Sequence, residues 1–115
     1  MQKEVIKMKE KTVNEHLQEK LKDPYFKELY ELEQQKYGIV RKIIDYRIKK
    51  GITQSDLAKE AGISQQHISK IENGEFSSIM TLEKVLLHIG MTVRMKVVEL
   101  NAAVKKQIQK AMAEA

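Results

Sequence analysis

The chain has 115 residues, no cysteine and a formal net charge of +5 at pH 7. This length is enough for one domain with a modest core, and the lack of cysteine excludes a disulfide framework or a thiolate metal site. No apolar run is long enough to cross a membrane, and the start lacks the apolar core of a signal peptide. We therefore expect a cytoplasmic protein with no membrane partner.

Residues 1–37 are predicted to form an N-terminal arm and an amphipathic helix. Asp23 suits a helix cap, and Pro24 suits the first helical position after it. Gly38 is expected to mark a break or a close contact at the end of this helix. The segment carries apolar and aromatic side chains that suit a helical face: Leu17, Leu21, Tyr25, Phe26, Leu29 and Tyr30.

A second helix is predicted over about residues 39–50, and Gly51 is expected to end it. Its apolar side is formed by Val40, Ile43, Ile44 and Ile48. Residues 38–50 contain five basic residues against one acidic residue, whereas residues 51–77 carry a net charge of −2. The positive charge therefore lies just before the next helices and suits an anionic partner.

Residues 53–74 have the pattern of two short helices joined by a tight corner. Thr53 and Ser64 suit the cap positions, because their hydroxyls accept amide protons that have no partner in a first helical turn. Gly62 suits the positive φ at which the chain leaves the first helix. The small side chain of Ala58 allows the two helices to approach closely. The pattern predicts a helix-turn-helix.

A further helix is predicted over residues 79–89, with Ser78 as its cap. After it the apolar residues follow the period of a half-buried β-strand: Met91, Val93, Met95 and Val97. One strand cannot satisfy its own backbone groups, and the sequence has no second convincing strand. We expect residues 91–100 to pair with the same strand of a second copy, in a homodimer. Residues 101–115 are predicted to be a peripheral tail.

Several motifs within residues 38–90 occur together at fixed spacings: Thr53-Gln54, Leu57-Ala58, Gly62, Ser64-Gln65, Ile68-Ser69 and Ile71-Glu72-Asn73-Gly74. They resemble the Cro/CI-type, or XRE-family, helix-turn-helix of phage repressors and bacterial regulators. The resemblance implies a mainly α, lambda-repressor-like helix-turn-helix bundle over residues 38–90. It also implies a dimer that binds double-stranded DNA at a palindromic operator.

Glutamine suits base recognition because its amide presents a donor and an acceptor together, matching the edge of adenine. Family members contact bases from the positions of Gln65, Gln66 and Lys70, which are therefore the candidate base-reading residues. Candidates for phosphate contact or support are Gln54, Ser64, His67, Asn73, Lys49, Lys50 and Arg41. The alternative for the charged residues and His67 is a solvated helix surface, and for Asn73 it is a preference for the helix end.

In phage repressors with this motif, an arginine before the motif forms a buried pair with the glutamate of the Glu-Asn-Gly corner. Both residues occur in this chain, as Arg47 and Glu72. The resemblance therefore implies that they form a structural ion pair and do not contact DNA.

Segments outside the motif resemble HigA-type antitoxins: Asn14-Glu15-His16-Leu17, Leu21-Lys22-Asp23-Pro24, the aromatic helix at Tyr30–Leu32, and the strand after Gly90-Met91. Such antitoxins bind a HigB/RelE-like, mRNA-cleaving toxin and repress their own operon as dimers. Apolar residues from Leu17 to Tyr30 could then contact the toxin through helix-in-groove binding. Packing on the chain's own domain is the alternative. The alternative function is a stand-alone XRE-family regulator, either a phage-like repressor or a controller protein.

No arrangement of nucleophile, base and acid stands out, and there is no glycine loop suited to phosphate binding. The three histidines, His16, His67 and His88, lack acidic neighbours at metal-ligand spacing. We expect the protein not to be an enzyme and to bind no metal or cofactor.

Overall fold

The computed structural model describes residues 12–114, which contain six helices. They are α1 (residues 12–20), α2 (Pro24–Lys50), α3 (Gln54–Ala61), α4 (Gln65–Glu72), α5 (Ile79–His88) and α6 (Ala102–Glu114). Residues 1–11 of the predicted arm and residue 115 of the predicted tail lie outside the described residues. None of the described helices is both long enough and apolar enough to span a membrane.

One compact unit, Gln34–Val97, is held together by a small apolar core. Its largest fully buried side chains come from four different helices: Ile43 from α2, Leu57 from α3, Ile68 from α4 and Val85 from α5. Burying a side chain of this kind contributes roughly 1.5–3 kcal/mol. Because each of the four helices supplies one of these side chains, removing any helix would expose the core of the others.

Residues 12–33 and 98–114 belong to a second compact unit, and none of them is buried. Within it the Phe26 and Tyr30 rings stack with centroids 6.1 Å apart, and the Lys20 ammonium lies 5.6 Å from the Phe26 centroid. The predicted tail forms α6, where Asn101 Oδ1 accepts the backbone N–H of Val104 at 2.8 Å. This unit keeps its apolar side chains at least partly exposed to solvent.

The helix starts predicted from the sequence are confirmed by side-chain capping bonds. Asp23 Oδ1 accepts the backbone N–H of Tyr25 at 3.0 Å at the start of α2. Thr53, Ser64 and Ser78 each accept the N–H of the residue three positions later, at 3.1, 3.2 and 3.3 Å. Each cap satisfies a donor that has no partner within its helix.

Gly62 ends α3 with φ of +73°, and its backbone N–H bonds to the carbonyls of the last helical turn. This left-handed conformation is the one that glycine adopts without steric cost. The chain can therefore reverse direction between α3 and α4, as the sequence predicted. Ala58, expected to allow close approach, is 3 % exposed and lies in the core.

The break predicted at Gly38 is wrong, because α2 runs without interruption from Pro24 to Lys50. A close contact is absent as well, since a Cβ built on Gly38 would meet no described atom within 4 Å. One glycine inside a helix costs only about 0.5–1 kcal/mol relative to alanine. The burial of Val40 and Ile43 in the core outweighs that cost, so the helix continues.

Ile48 was expected on the apolar side of this helix but is 66 % exposed. Successive residues of a helix are about 100° apart around its axis. Arg47 is oriented towards Glu72 on α4, so Ile48, the next residue, is directed away from the core. Val40 and Ile43 were assigned correctly and are buried.

The predicted β-strand is not observed, and residues 12–114 contain no strand at all. Of the four side chains assigned to its buried face, only Val93 packs against the core. Met91, Met95 and Val97 are 39 %, 69 % and 104 % exposed. A strand requires a second strand to satisfy its backbone groups, and a single chain of this sequence supplies none. Helices are therefore the only regular secondary structure in the described chain.

Asp56 completes a capping box on α3, since its Oδ2 accepts the backbone N–H of Thr53 at 3.0 Å. That backbone bond, followed by the bond to the Thr53 side chain, holds the pKa of Asp56 below its ordinary value of 3.8. A carboxyl group whose pKa is lower in the folded than in the unfolded state stabilises the fold at pH values above its unfolded-state pKa. This contribution is lost as the pH falls through its folded-state pKa.

We therefore predict that Asp56→Asn is less stable than the original chain near neutral pH. The difference should shrink as the pH falls below about 4, because the original carboxylate then becomes protonated. Urea unfolding at a series of pH values measures both chains. A stability difference that stays constant across that range would contradict the assignment.

Candidate nucleic-acid interface

Helix α4 presents a polar surface opposite its buried residues. Ile68 and Ile71 are 0 % and 4 % exposed and belong to the core. Gln65, Gln66 and Lys70 are all exposed. Gln66 and Lys70 are four residues apart, so they lie on one side of the helix, with Gln65 beside them. The structure thus brings the three candidate base-reading residues together on one solvent-facing surface.

Ser64 and His67 are linked at the start of this helix. The Ser64 hydroxyl accepts the backbone N–H of His67 at 3.2 Å and also lies 2.9 Å from Nδ1 of the His67 ring. This second bond holds the imidazole against the first turn and leaves Nε2 as its other polar atom. The link between the two side chains could not be predicted from the sequence, because a histidine at this position is not part of the usual capping box, which has Glu or Gln there.

The other supporting candidates lie at the ends of the two motif helices. Gln54 is the first residue of α3 and is half-buried. Asn73 follows α4, where its backbone N–H bonds to the carbonyls of Ser69 and Lys70 at 3.1 Å and its side chain is exposed. The backbone bonds show that Asn73 ends the helix. Its side-chain amide is exposed and can contact a ligand.

The positive region predicted on α2 includes the three candidates for phosphate contact, which are all exposed: Arg41, Lys49 and Lys50. Lys49 and Lys50 lie in the last turn of the helix, where positive charge interacts favourably with the helix dipole. The Lys50 ammonium also lies 5.9 Å from the centroid of the Tyr46 ring. Both features stabilise the end of the helix.

Arg47 and Glu72 are in contact through two parallel hydrogen bonds. Arg47 Nε lies 3.0 Å from Glu72 Oε2, and Arg47 Nη2 lies 3.0 Å from Glu72 Oε1. Arg47 Nη1 also donates to the backbone carbonyl of Ile52 at 3.3 Å. The side chains are 23 % and 6 % exposed, so the carboxylate is nearly removed from water. The pair joins the end of α2 to the last residue of α4, away from the exposed glutamines.

A second polar link, between His88 and Glu60, joins α5 to α3. His88 Nε2 lies 2.9 Å from Glu60 Oε2, and the His88 ring meets Tyr46 edge-on with centroids 6.3 Å apart. This partner of His88 could not be predicted from the sequence, because nothing in the local pattern relates residues 28 positions apart. Across residues 12–114, no three histidine, aspartate or glutamate side chains are grouped so as to hold a metal ion.

Residues 43–94 match the model of a helix-turn-helix family. The match includes the end of α2, all of α3, α4 and α5, and the whole core cluster. It thus covers both the exposed surface of α4 and the ion pair behind it. Neither a search of curated proteins nor a search of solved structures returned a match.

We predict that Arg47→Ala destabilises the fold by about 3 kcal/mol, because Glu72 would remain buried without its partner. The matched control is Lys49→Ala, an exposed residue of the same helix turn, which should change stability by less than about 0.5 kcal/mol. Urea unfolding measures both variants. The structural assignment is wrong if Arg47→Ala unfolds like the original chain and only its DNA affinity falls.

Proposed function

Because residues 43–94 match a helix-turn-helix family model, we propose that the protein is an XRE-family transcriptional repressor that binds double-stranded DNA sequence-specifically. The observation that carries the proposal is the exposed polar surface of α4, formed by Gln65, Gln66 and Lys70. Ile68 and Ile71 anchor the opposite side of the helix in the core. A helix held in this way can enter the major groove without rearranging the domain.

The chemistry of the surface suits base edges. An amide side chain can accept from the N6 amino group and donate to N7 of adenine in one plane, and a lysine can donate to O6 or N7 of guanine. In the proposed complex, Gln65 and Gln66 read bases from the first turn of α4, and Lys70 reads a base or phosphate one turn later.

Phosphate contacts fix the position of such a helix on DNA but carry no sequence information. We assign this role to the polar groups around the ends of α3 and α4 and to the basic part of α2: Gln54, Ser64, His67, Asn73, Lys49, Lys50 and Arg41. Ser64 contributes by holding the His67 ring at the helix start. Because phosphate contacts release counterions from the DNA, the affinity for DNA should fall steeply as the salt concentration rises.

The proposed repressor is a homodimer on a palindromic operator. Two recognition helices contact successive major-groove turns when they lie about 34 Å apart. The exposed apolar side chains after α5, including Met95 and Val97, support a contact with a second copy in this region. Pairing of residues 91–100 between copies would supply the strand partner that one chain lacks.

We further propose that the protein is the antitoxin of a type II toxin–antitoxin pair. Its toxin would be a HigB/RelE-like mRNA-cleaving enzyme, and its operator would lie in its own operon. The support is the apolar surface of α1 and the first turns of α2, where no residue is buried. The side chains assigned to toxin contact are Leu17, Leu21, Tyr25, Phe26, Leu29 and Tyr30, and Leu29 is 46 % exposed. Aromatic and aliphatic anchors of this kind suit helix-in-groove binding.

Replacing Gln65 or Gln66 by alanine is predicted to weaken operator binding by about 1–3 kcal/mol, the usual value of a good contact to a base. Binding to unrelated DNA should change little, so the loss appears as reduced specificity. Gln34→Ala removes the same chemical group from an exposed site on α2 and serves as the control. Gel-shift titrations on the upstream DNA measure all three variants. Equal losses on operator and unrelated DNA would argue against base reading.

Removing residues 1–22 is predicted to abolish toxin neutralisation while leaving operator binding unchanged, because the exposed surface of α4 lies outside the deleted segment. Leu29→Arg should weaken toxin binding strongly, whereas Glu31→Arg on the same helix should not. Rescue of growth during toxin expression, together with gel shifts, measures both activities. Full neutralisation by the shortened chain would exclude this segment as the toxin site. The lack of any toxin-sized reading frame beside the gene would favour a stand-alone regulator.

A further inference from the structure

Ser64 and His67 form a short chain of hydrogen bonds at the start of α4. Ser64 Oγ accepts the backbone N–H of His67 at 3.2 Å and lies 2.9 Å from Nδ1 of the His67 ring. One hydrogen lies between Oγ and Nδ1, and either the hydroxyl or the ring can supply it. Both side chains are exposed. The atom that donates in this bond therefore decides which donors the two side chains present to a ligand.

When the imidazole is neutral, the Ser64 hydroxyl is the favoured donor. It already accepts the backbone N–H of His67, and a hydroxyl that accepts one bond while donating another strengthens both bonds. Nδ1 is then an acceptor, so the ring hydrogen lies on Nε2. In this state Ser64 has no hydrogen left for a second partner, and His67 offers one uncharged N–H.

Protonation of the imidazole reverses the bond between the two side chains. Both ring nitrogens of a protonated histidine are donors, so Nδ1 donates to Ser64 Oγ. The hydroxyl oxygen then accepts two bonds, and its own hydrogen is released towards solvent. The pair now offers an anion a charged N–H from Nε2 of His67 and a hydroxyl donor from Ser64. Histidine ordinarily undergoes this change of charge between about pH 5 and pH 8.

Charged groups of both signs surround the His67 ring. It lines a small hollow together with Lys70, with Glu75 after the end of α4, and with hydroxyl side chains at the start of α5: Ser77, Ser78 and Thr81. Lys70 and the positive end of the α4 dipole oppose protonation of the ring, whereas Glu75 favours it. A DNA phosphate beside Nε2 would add a further negative charge. Binding of the phosphate and protonation of the ring would therefore strengthen each other.

We propose that Ser64 and His67 form a proton-controlled phosphate contact, which makes the protein bind DNA more tightly as the pH falls through the range in which histidine titrates. In the protonated state, Nε2 of His67 and the Ser64 hydroxyl both donate to a backbone phosphate, whereas in the neutral state only Nε2 donates. This inference rests on the proposed function and adds a form of regulation to it. DNA is the source of the phosphate because the pair lies in the same turn as Gln65 and Gln66.

The pH dependence of DNA affinity tests the ring. The dissociation constant of the original chain should fall by about tenfold between about pH 8 and pH 5, measured by fluorescence anisotropy at constant salt. The same gain is expected on unrelated DNA, because phosphate contacts carry no sequence information. His67→Gln keeps a polar side chain that does not titrate and should lose the gain. His16→Gln removes an exposed histidine of α1 and should keep it. A gain that survives in His67→Gln would overturn the proposal.

The hydroxyl is tested by two variants at the cap position. Ser64→Thr keeps the hydroxyl, whereas Ser64→Gly removes it and leaves a residue that is tolerated as a helix cap. Ser64→Thr should retain the full gain at low pH. Ser64→Gly should retain only the part that comes from the charge of the ring. Equal gains in the two variants, with both shown by circular dichroism to be folded, would overturn the role of the hydroxyl.

Nitrogen chemical shifts of the imidazole test the hydrogen bond in the free chain, without DNA. At about pH 8, Nδ1 of His67 should be the unprotonated nitrogen and Nε2 the protonated one. The opposite tautomer would overturn the proposal, because the Ser64 hydrogen would then already be released in the neutral state.

Failure of this contact can be distinguished from failure of the proposed function. A chain that prefers the upstream DNA but binds it equally well at both pH values loses only the proton control. A chain that shows no preference for the upstream DNA at either pH loses the proposed function. In that case the gain on unrelated DNA and the imidazole shifts still decide whether the Ser64–His67 pair behaves as proposed.

Discussion

The two hydrogen bonds between Arg47 and Glu72 connect the helix that carries the positive charge to the helix that carries the glutamines. The Glu72 side chain is 6 % exposed, so its charge requires a partner at this position. Because Glu72 is the last residue of α4, the pair fixes the end of that helix, while the Ser64 cap fixes its start. Ile68 and Ile71 lie between these two points, in the core. The exposed surface of α4 is thereby held in one orientation relative to α2.

The described chain divides its apolar residues into two groups with different consequences. In Gln34–Val97 one group forms the buried core of the helix-turn-helix, whereas Met95 and Val97 at the end of this unit stay exposed. In the described parts of the other unit, no residue is buried, and apolar side chains such as Leu29 and Val98 stay in contact with water. Exposed apolar surface of this kind is typical of interaction sites. The proposed repressor and antitoxin activities use this division, with DNA read by the unit that contains the core and protein partners bound by exposed apolar segments.

The helix starts and the turn at Gly62 could be predicted because each depends on residues within four positions of one another. The core of the helix-turn-helix could also be predicted, since helical periodicity marks its buried residues. Gly38 and Ile48 were misjudged for a different reason. Whether a glycine ends a helix, and which side of a helix is buried, depends on packing with distant residues such as Glu72. The prediction of a strand after α5 was wrong because strand pairing depends on a second strand elsewhere. The alternation of apolar and polar residues in one segment does not supply that second strand. The pairing of His88 with Glu60 could not be predicted for the same reason.

In the proposed complex, two copies of α4 read DNA bases from one face of the duplex. Chemical protection of the bases in the DNA upstream of the gene tests it most directly, because modification at N7 of guanine reports on the major groove. We expect two protected patches related by a two-fold axis, about 34 Å apart. Protection should be lost when both Gln65 and Gln66 are replaced by alanine. A single patch, protection confined to the minor groove, or a pattern unchanged by those substitutions would contradict it.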